Sequence, residues 1–147
     1  MNRFLLTLFL FINGISSEGQ SIADSTSIRL LLEKESATWR AQDSAGHASC
    51  WAIQPCSKIW ISLKNGSVLD VDPQQMIRLR PSQMGNGGYA VNSDYCFQIS
   101  GNKAWVAHRE ISVASDGSKT HSFELRLLEK LNDEWKLIGQ SIHILPD

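Results

Sequence analysis

The chain predicts an α+β domain in which amino-terminal helices pack on one face of a curved antiparallel sheet. Three observations carry this. Apolar residues fall at helical spacing beyond residue 24, the period changes to two from Ser57 onward, and four long alternating segments joined by short reversals close the chain.

The elements follow in order. Asp24-Ser25-Thr26-Ser27 offers side chains that can cap a helix start, and Ile28, Leu31, Leu32 and Trp39 share one side of the helix they open, which should run to about Asp43. Arg29 and Glu33 form an i, i+4 pair on the other side. Ser44 to Trp51 predicts a second short helical turn, broken by Gly46 and stopped before Pro55. Ile59, Ile61 and Leu63 alternate with polar neighbours, and Asn65-Gly66 before Val68–Val71 predicts a hairpin with a tight two-residue turn. Asp72-Pro73 opens a short helix through about Arg80, with proline suited to the first helical position. Residues 81–88 form a glycine-rich loop that lacks the lysine and spacing of a phosphate cradle. Four strands are then expected over 89–99, 103–113, 119–131 and 134–145.

Composition narrows the function classes. With 42% apolar and 20% charged residues and a net charge of −1, the chain is neither disordered nor a polycation, so it lacks the electrostatic footprint of a nucleic-acid or anionic-membrane partner. Arg3 followed by the apolar run 4–12 predicts a signal peptide over residues 1–20, cut between 16 and 23, with a single domain over 24–147. That run is half the length a spanning helix needs. The expected location is therefore periplasmic or secreted, with no membrane association after cleavage. Export permits disulfides, and Cys50 with Cys56 is the pair most able to bridge, with buried free thiols as the alternative; Cys96 is the third cysteine.

The element order, and above all His121 to Lys130 running into Trp135 to His143, resembles the nuclear transport factor 2-like (NTF2-like) superfamily in its SnoaL-like secreted bacterial branch. Trp39-Arg40 through Asp43, His47, Cys50-Trp51 and Gln54-Pro55 are also similar to secreted members of unknown activity. The resemblance implies a cone-shaped fold enclosing a pocket. It does not imply one activity, because the superfamily spans isomerases, dehydratases, cyclases, hydrolases and plain binding or dimerisation modules.

Candidate site residues come from strand register. If Val113 stands opposite Thr120 and Leu131 opposite Glu134, then Arg109, Glu124 and Ser141 lie side by side. Trp105, Ala107, Arg126, Gly139 and His143 share their face, while Val106, His108, Glu110, Phe123, Leu125, Leu127, Ile138, Ile142 and Ile144 take the other. The first face combines charge, hydroxyl and imidazole with small residues, as a ligand pocket does. Its bland counterpart is a solvated face with an Arg109–Glu124 pair. In a catalytic version Glu124 is the general acid or base and His143 its partner, an imidazole changing charge near neutral pH. Trp51 and Trp60, near the helix-to-hairpin junction, either pack in the core or edge the cavity, where an indole could stack on a ligand ring.

Other chemistries are poorly supported. His108 and Glu110, two apart on a strand, lack a third and fourth metal ligand of evident spacing. Ser141 and His143 are not expected to direct one group at the other from positions two apart. The residues depart from a steroid-isomerase-like site, since the first helix contains no tyrosine and the strands offer no matching acid pair. The sequence thus predicts an exported small-molecule-binding domain, dimeric through its sheet and using no metal or cofactor. The rival readings are an enzyme of lyase, isomerase or glycan-hydrolase type using Glu124 and His143, and a pure dimerisation or interaction module.

Overall fold

A computed structural model of the protein describes residues 16–85 and 87–146; most of the expected leader lies outside the described residues. Helix α1 (Ser16–Arg40) and the short α2 (Ser44–Ser49) precede six strands, β1 (Ile59–Ser62), β2 (Val68–Val71), β3 (Tyr89–Ser100), β4 (Lys103–Val113), β5 (Lys119–Leu131) and β6 (Glu134–Ile144).

Helix α1 starts earlier than its polar cluster predicts, and the cluster serves the helix differently. Ser25, Thr26 and Ser27 donate back to the carbonyls of Ile22 and Ala23 one turn before them, while Asp24 turns inward to accept from Trp135 Nε1 at 3.0 Å and Lys130 Nζ at 2.9 Å. The helix ends at Arg40, short of Asp43, because Gln42 adopts a left-handed conformation with φ of 57°. Asp43 instead caps α2, its side chain accepting from Gly46 N at 2.8 Å. Gly46 therefore belongs to α2 and does not break it: a Cβ there would lie 2.1 Å from Oδ2 of the Asp43 carboxylate, whose other oxygen caps the turn.

Between β2 and β3 the expected helix is a 3₁₀ turn over Pro73–Ile77, with proline first and Asp72 capping, followed by a second over Pro81–Gln83. The first hairpin closes through a three-residue loop, not the predicted two-residue turn. Leu63 N donates to Ser67 O at 2.8 Å, and Gly66 supplies the left-handed residue with φ of 83°.

The sheet order is β2-β1-β6-β5-β4-β3. All neighbours are antiparallel except β1 and β6, which run parallel, so the sheet is mixed. The chain leaves β2, crosses to the far edge as β3 and meanders back until β6 meets β1. Helix α1 covers one face of this curved sheet. Ile28, Leu32, Trp51, Ile59, Val106, Leu128, Trp135 and Leu137 form the core at one end, and Cys50 is buried among them. All three cysteines are free thiols, Cys56 and Cys96 on the surface.

Two features reset the predicted register. The β4–β5 loop is Ser115 to Gly117, with Ala114 N donating to Ser118 O at 2.9 Å and Gly117 left-handed. Val113 thus faces Lys119 and not Thr120, which puts His108 opposite Glu124 and Arg109 opposite Phe123. In β5–β6 the end pair Leu131–Glu134 stands as expected, but the pairing steps from Leu128–Leu137 to Leu127–Gly139, leaving Ile138 as an extra residue. Beyond that bulge Glu124 faces Ile142 and not Ser141.

Candidate functional site

The register builds the site in rungs across the inner face. Val106, Arg126, Gln140 and Ile59 share the first rung, His108, Glu124, Ile142 and Ile61 the second, and Glu110, Ser122 and Ile144 the third. Helix α1 brings Glu35, Ser36, Trp39 and Arg40 over these rungs, and α2 adds His47. Together with Met76, Ser112 and Thr120 they enclose a cavity of about 340 Å³.

Its polar groups bind one another in two sets. At the deep end Arg126 donates to Glu124 Oε2 and Gln140 Oε1, and its Nη1 lies 3.6 Å from Glu35 Oε2. Ser122 Oγ donates to the other Glu124 oxygen at 2.9 Å. Glu35 Oε1 meets His47 Nε2 at 3.0 Å, and His47 Nδ1 faces the Met76 carbonyl at 3.1 Å. Both partners of this buried imidazole are acceptors. A neutral ring carries one N–H and donates to one of them. Nearer the end of α1, Arg40 Nη2 donates to Glu110 Oε1 at 2.6 Å and to Ser112 Oγ at 2.8 Å, while Ser36 Oγ donates to Glu110 Oε2 at 3.2 Å.

Burial and pairing push these groups in opposite directions. Burial raises Glu35, but Arg126 and the His47 hydrogen bond outweigh it and hold the carboxyl below its usual range. Glu110 is pushed up by burial and by Glu124, against the pull of Arg40. Burial works against the Arg126 charge, yet Glu124, Glu35 and Glu110 make it harder than usual to deprotonate. His108 lies outside the cavity lining, with its Nε2 3.5 Å from Glu124 Oε2 and no hydrogen-bond partner; burial and Arg126 lower its proton affinity. Glu110 is thus the cavity-lining carboxyl shifted toward holding its proton.

Of the residues predicted for the site, Glu124 lines the cavity. Trp51 is buried beside His47, with ring centroids 6.2 Å apart, where it packs in the core. Arg109, Ser141, His143, Trp60 and Trp105 stand on the outer face. Arg109 is exposed there and pairs with Asp94 at 3.4 Å, and Trp60 and Trp105 are 45% and 41% exposed. The expected Arg109–Glu124–Ser141 juxtaposition therefore does not form: the one-residue shift in β4–β5 separates Arg109 from Glu124, and the Ile138 bulge turns Ser141 and His143 outward. Ser141 Oγ and His143 Nε2 do meet at 3.0 Å, against expectation, but outside the cavity.

Sequence reasoning missed Glu35, Ser36 and Arg40 as site residues, named His47 within the stretch similar to secreted members without assigning it to the site, weighed Glu110 only beside His108 as a metal ligand, and placed Arg126 with the wrong neighbours. A signal was present. Glu35 and Ser36 continue the stripe set by Ile28 and Leu32, so charged and hydroxyl side chains occupy positions that helical spacing assigns to the core. Among the described residues no cluster of three or more histidine, cysteine, aspartate or glutamate side chains is arranged to hold a metal ion.

No protein-family model and no curated protein matches the sequence. The solved structures it resembles share its architecture at low identity. An NTF2-like protein of unknown function from Shewanella baltica superposes with a TM-score of 0.65 at 15% identity, covering 86% of this chain and 97% of its own. An NTF2-like protein with a cystatin-like fold from Novosphingobium aromaticivorans gives a TM-score of 0.67 at 10% identity, covering 92% of each chain. A candidate dehydratase of the NTF2-like family from Streptomyces avermitilis gives a TM-score of 0.67 at 16% identity, covering 86% of this chain and 99% of its own. The protein has the NTF2-like α+β cone fold, as its carboxyl-terminal strands suggested. At these identities the likeness defines the fold alone and does not single out the SnoaL-like branch.

Proposed function

We propose that the protein binds a small molecule in the cavity between α1 and the inner face of the sheet. The observation that carries this reading is a hollow of about 340 Å³, of ligand size, in which Glu35, Arg40, His47, Glu110, Glu124 and Arg126 converge beside Ile59, Ile61, Ile142 and Ile144. Buried charge of this density stabilises a fold weakly, because desolvation offsets much of the pairing. A site for a ligand is a reason for it to be there.

The test is a thermal-shift screen of the protein and of Ile144→Trp, which fills the hollow, against a broad set of small ring compounds. The expected result is stabilisation of the parent by a subset and its loss in the filled variant. If nothing in the set shifts the parent, or if Ile144→Trp keeps every shift, the reading fails.

The catalytic alternative has a specific observation in its favour, the upward-shifted Glu110 carboxyl in the lining. In that version Glu110 exchanges a proton with the ligand and Glu124, held by Arg126 and Ser122, is the second carboxyl, in place of the Glu124–His143 pair expected from sequence. A lyase-type proton transfer is the corresponding reaction class, and one fold neighbour is a candidate dehydratase.

The other sequence expectations stand as part of the same proposal. The chain is exported after removal of its leader, which amino-terminal sequencing of the secreted protein would check. It forms a homodimer through the outer sheet face, where Trp60, Trp105, Phe123 and Leu127 are exposed. The pure interaction module keeps that surface and leaves the cavity empty.

A further inference from the structure

Resting on the reading of the cavity as a ligand site, we propose that its ligand is an organic cation: a protonated primary amine on a small apolar body, the ammonium facing Glu110 and Glu124 and the body lying against Ile61, Ile142 and Ile144. The argument is an inventory of hydrogen bonds and charges. The hydroxyls of Ser36 and Ser122 and the Nη groups of Arg40 and Arg126 all donate to protein acceptors. A ligand acceptor such as a carboxylate or phosphate would compete with these protein acceptors for the serine and guanidinium donors. The carboxylates are in the reverse position. Each oxygen of Glu110 and of Glu124 accepts one hydrogen bond, about half of what a carboxylate oxygen accommodates. A ligand carrying several N–H donors uses this free capacity.

Charge points the same way. Three carboxylates, Glu35, Glu110 and Glu124, share the cavity with two guanidinium groups, Arg40 and Arg126, and with an imidazole whose two nitrogens both face acceptors. Counted without the imidazole, the lining holds one more carboxylate than guanidinium groups. Its own groups register that deficit: the Glu110 carboxyl and the Arg126 guanidinium are both pushed toward their protonated forms, the first by burial and Glu124, the second by Glu124, Glu35 and Glu110 against its burial. Buried Arg126 Nε has no hydrogen-bond partner, but a guanidinium held among three carboxylates does not invite a fourth anion. The Trp39 ring in the lining gives the cation an aromatic wall.

The experiment uses three ligands with one ring and three charges: 2-phenylethylammonium, 2-phenylethanol and phenylacetate, followed by calorimetry and thermal shift at neutral pH on the parent protein and on Glu110→Gln. The expected result is binding of the cation at least tenfold tighter than the alcohol, no shift with the anion, and loss of the cation's advantage in Glu110→Gln with alcohol binding retained. The parent series decides by itself if that variant does not fold. Equal binding of alcohol and cation, or tighter binding of the anion, overturns the cation assignment while the cavity remains a ligand site. So does silence of all three alongside hits in the broader screen. Silence in both removes the ligand reading itself.

Discussion

The two faces of strands β4 to β6 are made by alternate residues of the same segments, yet they invert the usual arrangement. The inner face, under α1, carries His108, Glu110, Glu124 and Arg126, all buried. The outer face carries Trp105, Phe123 and Leu127, all partly in solvent. A sheet with one covered face ordinarily turns apolar residues toward the cover and polar ones outward. Here the covered face splits along its length. Val106, Leu128, Trp135 and Leu137 pack as core at one end, and the charged rungs line a hollow at the other. Buried charge persists where every charged group has a partner, and exposed aromatic rings where a second surface is available to cover them.

That comparison can be broken, beginning with the largest effect. Inserting an alanine between Gly139 and Gln140 adds a residue for which the β5–β6 ladder has no partner and, without a second bulge, would turn Gln140, Ile142 and Ile144 outward while Ser141 and His143 turn in. We expect a loss exceeding about 4 kcal/mol, seen as loss of a cooperative urea transition. An insertion variant that unfolds like the parent would mean that this register does not set the faces. Arg126→Ala leaves Glu124 and Glu35 buried without their common partner. The expected cost is about 3–5 kcal/mol by chemical denaturation, and a cost below about 1 kcal/mol would show that water already reaches the pair.

The third prediction concerns pH. Because the folded-state affinity of Glu110 for its proton is raised, its contribution to stability is full below the ordinary carboxyl range. It falls as pH rises through that range toward the folded value, where the unfolded chain ionises first. Glu110→Gln should lack this fall, so its deficit relative to the parent should shrink as pH rises above the ordinary carboxyl range. Glu35, shifted down, acts with the opposite sign: its contribution is present above the ordinary range and is lost as pH drops below it. Denaturant midpoints at four pH values would separate the two, and a deficit for Glu110→Gln that grows with pH would reverse the assignment.

On the outer face the expected effects are small in stability and large in assembly. Trp105→Ser with Phe123→Ser should leave the unfolding midpoint nearly unchanged and convert a dimer to a monomer in sedimentation at micromolar concentration; a parent that already sediments as a monomer refutes the dimer. Arg109→Ala, which breaks an exposed pair with Asp94, should change stability by no more than about 0.5 kcal/mol.

Much of the fold was legible. Strand β4, from Lys103 to Val113, and strand β5, from Lys119 to Leu131, lie where alternation and turn residues predicted them, and Asn65-Gly66 marked its hairpin. The site was less legible, for two local reasons. A five-residue span between Val113 and Lys119 admits more than one loop, and the choice of a three-residue turn closed by Gly117 moved Arg109 away from Glu124. The extra residue in β6 leaves no mark in composition, since Ile138 continues an alternating pattern as well as any residue, and it exchanged the faces of Ser141 and Ile142. Glu35 and Ser36 stood on the core stripe of α1 in plain view, but helical periodicity alone does not say that a hollow lies beneath them.

By itself, then, the sequence determined the order of elements, the strand positions and the α+β class, because alternation, caps and turn residues act over a few neighbouring positions. Tertiary structure decided which face each side chain occupies and which charges meet. In a sheet of period two a single displaced residue inverts everything beyond it, and only the packing of α1 and β1 against the strands selects among registers whose local energies are nearly equal.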